Sequence, residues 1–420
     1  MAGPRLFCVK AGSQNWASRV FHTSILQERR LEWIDYLRGL TIILVVYYHS
    51  LLGIKRGDID VPAELDNANL IFLSFRMPLF FILSGIFISK SLSKNGLGNV
   101  IWKKFELLIY PYLIWSVMQI TLQIIFSRYT NSNRTWEDYT FIFYQPRGLD
   151  QFWYLPALFN CTIVYILIKE KMRPHIWAHA VFALLLYFAS PYFQAVSMIS
   201  DFMRFYIFLA IGDMISAFFF KPSSQRFFIR RLSFLLILPL FVFVQIYYLK
   251  YDISGASLTT DVAVIRENWL KYAFNLFAFL VIAMIGCLTM VKLSFLLQRF
   301  RIFPFLRVIG YHSLYIYVMH LSITGFTRIA LVRFLHVENP FVLLVLSILM
   351  GTLIPIAMYN VLIRKGPLFF LFSFHKDGTA EERARTRTPA PDLVAVGKAG
   401  LGASSFVESQ TVSRNPIKEN

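Results

Sequence analysis

Apolar residues in this chain come in long runs broken by short polar segments. Ten stretches long enough, or nearly so, to cross a bilayer lie at about 37–54, 70–90, 105–126, 152–169, 175–191, 203–220, 232–249, 269–291, 312–334 and 340–363. Each approaches the ~20 residues that a helix needs to span the hydrocarbon core. The fifth is the weakest, being short and holding His179. The pattern predicts an all-α polytopic membrane protein of about ten transmembrane helices.

The polar segments between the runs alternate in charge. One set holds Arg29/Arg30, Lys90/Lys94/Lys103/Lys104, Lys169/Lys171/Arg173, Lys221/Arg226/Arg230/Arg231, Lys292/Arg299/Arg301/Arg307 and Arg364/Lys365. The alternate set holds Asp58, Asp60, Glu64, Asp66, Glu137, Asp138, Asp150, Asp252, Asp261 and Glu267, with fewer basic residues. By the positive-inside rule this alternation predicts that both termini are cytoplasmic.

Composition agrees. Of 420 residues, 56% are hydrophobic and 17% aromatic, with a mean hydropathy of +0.54, beyond the ~45–50% apolar share of soluble domains. The 42 Lys and Arg against 24 Asp and Glu leave a formal charge of +18, which in a soluble protein points to nucleic acid. Here the topology rule accounts for it, and no nucleic-acid partner is expected. Cys8, Cys161 and Cys287 are far apart and lack metal-ligand spacing, so neither a disulfide framework nor a metal site is predicted.

Residues 1–30 form a basic N-terminal arm with no acid before Glu28. It reads equally as a transit-peptide-like leader, a short cytoplasmic arm or an extended gene start. The transmembrane domain is expected over 31–370, and the polar tail 376–420 is expected to be disordered. No Walker loop or dinucleotide-binding turn occurs, so any chemistry belongs to the helix bundle.

The first run carries the most unusual chemistry: Asp35-Tyr36-Leu37-Arg38-Gly39-Leu40, then apolar residues to His49. Eleven residues return a helix to within ~20° of its starting direction after a rise of ~16 Å. Arg38 and His49 therefore share a stripe at two depths, with Asp35 one turn from Arg38 and placed to orient it. Titratable groups inside a membrane helix are expensive and usually functional. His320, in the ninth run, falls at a depth similar to His49. A lone intramembrane His fits packing as well as function; two at one depth, beside Arg and Asp, favour function.

Other polar groups carry two readings. Arg76 ends the second run as an interfacial anchor or a site residue. Ser84-Gly85 permits close approach of a backbone or a ligand. Lys103 and Lys104 follow the topology rule and also suit a phosphate. Trp153 sits where an aromatic belt is expected and where a sugar ring would stack. Asp201 and Arg204 form a local ion pair, with Arg204 as an alternative substrate contact.

These residues resemble a known family. Asp35-Tyr36-Leu37-Arg38-Gly39-Leu40 with His49 is similar to the Arg-x10-His signature of the acyltransferase-3 family of integral membrane acyltransferases. Phe80-Phe81-Ile82-Leu83-Ser84-Gly85 resembles its second-helix motif, Phe152-Trp153-Tyr154-Leu155 its tryptophan motif, and Gly310-Tyr311-His312-Ser313-Leu314-Tyr315 through His320 its late-helix motif. The resemblance covers about residues 30–370 and is to the stand-alone bacterial type. It implies a bacterial inner-membrane enzyme moving an acyl group, commonly acetyl, from cytoplasmic acyl-CoA to a hydroxyl of a glycan or lipid-linked sugar. No bound cofactor is implied; acyl-CoA is the donor substrate, membrane lipids surround the chain, and a homodimer is compatible. Arg38 and His49 carry over as the essential pair, with Arg76 as a candidate third; from position and chemistry, Asp35 and His320 join them as expected catalytic residues. Arg76, Ser84, Trp153, Arg204, Lys103 and Lys104 are the candidate substrate contacts. Lysines stand at 103–104 where many members have arginines, and a lysine lacks the bidentate fork for phosphate. The competing expectation is a lipid or glycan transporter with an intramembrane Arg/His relay.

Overall fold

The computed structural model describes residues 16–28, 30–127, 134–172, 175–251, 253, 268–364 and 366–374. Residues 1–15 of the basic arm, Cys8 with them, and the tail 376–420 lie outside the described residues. Ten main helices follow the apolar runs: α1 (Glu32–Lys55), α2 (Ala63–Ile86), α3 (Tyr110–Ile125), α4 (Tyr154–Leu167), α5 (Ile176–Ala189), α6 (Ser197–Met214), α7 (Arg231–Lys250), α8 (Trp269–Phe300), α9 (Ser313–Ile329) and α10 (Pro340–Met358). Among the described residues nine helices are long and apolar enough to cross a membrane. The exception is α6, which carries Asp201, Arg204 and Asp213. It nevertheless lies within the bundle against α2, α4 and α5, and its acids are paired there. The chain is thus a multi-pass membrane protein built on helices, with no strand among the described residues.

The helix α1 is the hub. It packs against α2, α8, α9, α10 and the short helix Phe305–Tyr311. Two pairs of glycines set the closest crossings. A Cβ on Gly39 would run into the Leu306 carbonyl, and one on Gly310 into the carbonyl of Asp35. Likewise a Cβ on Gly85 would meet the backbone of α6 at Leu209, and one on Gly212 the Ile82 carbonyl. Small residues let helix backbones meet in a membrane, where packing rather than hydrophobicity drives association. The close approach offered by Gly85 is therefore filled by a backbone.

Two segments depart from the expected boundaries. The eighth run extends from 291 to Phe300 as helix, because Lys292 is not a loop charge. Its ammonium is fully buried and donates to the carbonyls of Phe228 and Arg230 and, at 2.7 Å, to Ser233 Oγ, satisfying carbonyls at the end of helix Pro222–Ile229. The second is the basic arm, whose described part folds onto the bundle. Residues Trp16–Phe21 form a short helix, Val20 and Ile25 are buried, and Asn360 Nδ2 donates to the Val20 carbonyl at 3.0 Å.

Candidate functional site

The site is built on α1 and α9, with walls from α2, α3 and the 3-10 segment Pro146–Trp153. His49 and His320 are brought into contact, His320 Nε2 lying 3.1 Å from His49 Nδ1. Both are buried, and the rings meet edge to face at 4.9 Å. The partners assign the protons. His320 Nδ1 lies 2.8 Å from the Tyr317 carbonyl and 3.1 Å from that of Ile316. A carbonyl only accepts, so Nδ1 carries the proton and Nε2 the lone pair. His49 Nδ1 faces that lone pair and the Val45 carbonyl at 3.0 Å. It too carries a proton, which leaves the lone pair of His49 on Nε2. Among the described residues nothing hydrogen-bonds this nitrogen.

His49 stands between two cavities, one of about 540 Å³ and one of about 220 Å³. Arg56 and Asp150 line both as well. The smaller chamber is polar and aromatic, with Tyr48, Arg76, Arg147, Trp153 and Tyr317 on its wall. The larger runs between α1, α3, α9 and α10 and is mostly apolar. Asp150 adopts φ 56°, ψ −108°, a conformation that costs a non-glycine residue of order 1–3 kcal/mol. Arg56 at 3.2 Å and Arg134 at 3.6 Å hold its carboxylate in place.

The other candidates divide. Arg76 is 3% exposed, stacks on Tyr48 at 4.5 Å and bonds Asn69 Oδ1 at 3.2 Å. It is a cavity wall residue rather than an interfacial anchor. Trp153 lines the same chamber, but Arg147 lies over its ring at 4.3 Å, so one face that would stack on a sugar is taken. Ser84 sits at the hydroxyl of Tyr154, within electrostatic range of Arg38. Lys104 points inward toward Arg38, whereas Lys103 faces outward and bonds Asn95 Oδ1 at 2.9 Å. The two neighbouring lysines thus part ways.

Two expected pairs form with other partners. The carboxylate of Asp35 takes Arg30, at 3.1 and 3.4 Å, rather than orienting Arg38: the preceding loop folds back across the start of α1 and brings a guanidinium to it first. Asp201 binds Arg147, at 2.7 and 2.5 Å. Arg204, three residues on, instead lies over Phe279 at 5.5 Å and lines neither cavity.

Sequence reading also missed residues that the fold recruits. Tyr154 and Tyr317 pack at 5.3 Å, and Tyr317 donates to the Gln151 carbonyl, forming a partition between Arg38 and the smaller chamber. Both lay inside the quoted motifs, where an aromatic in a membrane helix carries no signal of its own. Arg147 lies 54 residues from Asp201, a separation that no local pattern reveals.

The family model Acyl_transf_3, an acyltransferase domain, matches residues 31–360. The chain belongs to the acyltransferase-3 family. The match covers α1 through α10 and every candidate named above. No curated protein matches, and neither does a solved structure. The chain is therefore an acyltransferase, an enzyme, and the family match stands against the transporter reading.

Proposed function

We propose that this acyltransferase moves an acyl group, acetyl in the simplest case, from cytoplasmic acyl-CoA to a hydroxyl of a glycan or lipid-linked sugar across a bacterial inner membrane. The observation that carries the reading is the unprotonated, unpartnered Nε2 of His49 on the wall shared by two cavities. A sugar hydroxyl is a weak nucleophile at neutral pH and needs a positioned base. His49 Nε2 takes the hydroxyl proton as the oxygen attacks the thioester carbonyl. On collapse the C–S bond breaks, and the same imidazolium returns the proton to the leaving CoA sulfur. While His49 is charged, its Nδ1–H donates to the lone pair of His320, whose own proton is anchored on two carbonyls. Such a neutral acceptor orients the base and disperses the positive charge.

With α1 entering from the cytoplasm, Arg38 and Lys104 stand at the donor side. Two like charges in close range repel, and among the described residues neither has an ion-pair partner, an arrangement that a CoA phosphate relieves. The pantetheine arm then passes Tyr154 and Tyr317 into the smaller chamber. The acceptor comes from the larger. Asp35, tied to Arg30, holds the loop at the mouth of this path rather than touching substrate.

The test uses purified chain in proteoliposomes with labelled acetyl-CoA and a crude lipid-linked glycan fraction. Replacing His49 by Ala is expected to lower transfer by about 10²–10⁴-fold, the usual range for one general base. Transfer at the wild-type rate would overturn the mechanism.

A further inference from the structure

The larger cavity has features that general-base catalysis does not use. Its rim includes Phe126, Phe326 and Phe334, which are 40%, 56% and 78% exposed on the outside of the bundle. The chamber thus has an apolar mouth on the outside of the helix bundle. Inside it lies Arg328, near the end of α9. Its guanidinium rests on a glycine step of the α1 end: a Cβ on Gly57 would stand 2.6 Å from Nη1, and one on Gly53 4.0 Å from Nε. Arg328 forms no ion pair among the described residues, and its buried Nε has no hydrogen-bond partner. Arg333 adds a second positive charge in range. The carboxylate on this cavity's wall, Asp150, is already neutralised by Arg56 and Arg134. A cation without an ion pair, beside a mostly apolar chamber whose mouth is lined by exposed phenylalanines, calls for a ligand with an anionic head and a hydrocarbon tail.

Distance sharpens the choice. Gly53 lies one turn beyond His49 on the same face of α1, and Gly57 about two. Arg328 therefore stands ~6–12 Å from the base along the helix axis, room for roughly one sugar ring. We infer that Arg328 is a phosphate-binding residue, and that the acceptor is a sugar linked through phosphate to a membrane lipid, its tail in the Phe126–Phe334 mouth and its lipid-proximal ring at His49. This rests on the acyltransferase reading above and narrows its acceptor.

Binding, not turnover, tests it. Full-length chain in phosphatidylcholine nanodiscs is titrated with farnesyl monophosphate, farnesol and inorganic phosphate, and with acetyl-CoA in parallel. Farnesyl monophosphate is expected to bind at least about tenfold more tightly than farnesol, ~1.4 kcal/mol, with inorganic phosphate weaker still. That advantage should vanish in Arg328→Gln and persist in Arg328→Lys, while acetyl-CoA binding is unchanged in both. Equal binding of farnesol, or an undiminished advantage in Arg328→Gln, overturns the inference. So does equal competition by phosphatidic acid, which would make the site one for any anionic lipid. If acetyl-CoA binds and the phosphate arm fails, only the acceptor inference falls; if acetyl-CoA itself does not bind, the donor reading falls with it.

Discussion

Two polar clusters at helix contacts in this acyltransferase differ in what they leave unused. One joins α6 to the end of α4 and its continuation Ile168–Met172, and to the short helix Ile88–Asn95 that follows α2. Asp213 accepts from the hydroxyl of Tyr165 at 2.8 Å, from the amide of Ser89 at 3.1 Å, and from the Ser89 hydroxyl and the Lys169 ammonium. Every oxygen lone pair facing inward is used, and neither cavity touches the cluster. The other joins α1 and α9. There the donors run from His49 to His320 and on to the Tyr317 and Ile316 carbonyls, and the Nε2 lone pair of His49 is left facing two cavities. A saturated network fixes helices; an unfinished one leaves a lone pair free, which is what the proposed chemistry needs. Burial and charge alone do not separate the two, whereas counting donors and acceptors does.

The sharpest way to break this contrast is to delete one centre from each. Asp213→Ala leaves the buried Tyr165 hydroxyl and the Ser89 amide without their acceptor, while the Lys169 ammonium, 37% exposed, turns to solvent. The change is expected to cost ~1–3 kcal/mol, seen as a fall of several degrees in thermal unfolding of the detergent-solubilised chain. Molecules that still fold should transfer acyl groups at nearly the normal rate. His49→Ala should show the reverse: transfer down by about 10²–10⁴-fold with the unfolding temperature within a few degrees of wild type. Loss of stability in the second, or of specific activity in the first, would erase the distinction.

Smaller effects sharpen it. His320→Ala removes the acceptor behind His49 and is expected to slow transfer by roughly 10–100-fold, in line with losing a partner that orients a catalytic group. His320→Gln keeps a carbonyl oxygen near that nitrogen and should recover part of the rate; no recovery would mean that His320 only fills space. At the glycine crossings, Gly85→Ala is expected to cost ~1–3 kcal/mol by overpacking backbone against backbone, measured again by thermal unfolding. Least of all, Arg204→Ala should change transfer by less than about twofold, since a cation over an aromatic ring is worth only ~0.5–2 kcal/mol and this one faces neither chamber.

How much of this was legible beforehand follows the range of the interactions. The helices were readable because hydropathy is local: each run of apolar residues specifies its own span. Likewise the Arg38–His49 stripe, being a matter of spacing within one helix. That His320 would lie level with His49 could be read from the alternation of the loop charges, and the two rings do meet. What escaped was the choice among partners. Asp35 with Arg30, Asp201 with Arg147 and Asp150 with both Arg56 and Arg134 are settled by how loops fold back over the bundle. A sequence with 42 basic residues offers each acid many candidates. The same holds for Lys103 and Lys104, adjacent in the chain but separated by 100° of helical rotation, which sends one outward and one toward Arg38.

The tyrosine partition has an electrical consequence. An enzyme that links two sides of an energised membrane must insulate as well as conduct its substrate, because moving one elementary charge through the potential is worth ~2.3 kcal/mol per 100 mV. Tyr154 and Tyr317 bring no formal charge to the gap between Arg38 and the smaller chamber, and the Tyr317 hydroxyl is closed onto the backbone at Gln151. The neutral pantetheine arm of the proposed donor would pass such a seal, while a proton or hydrated ion would find no charged step to rest on. Replacing Tyr317 with a carboxylate would turn the acyl route into a leak.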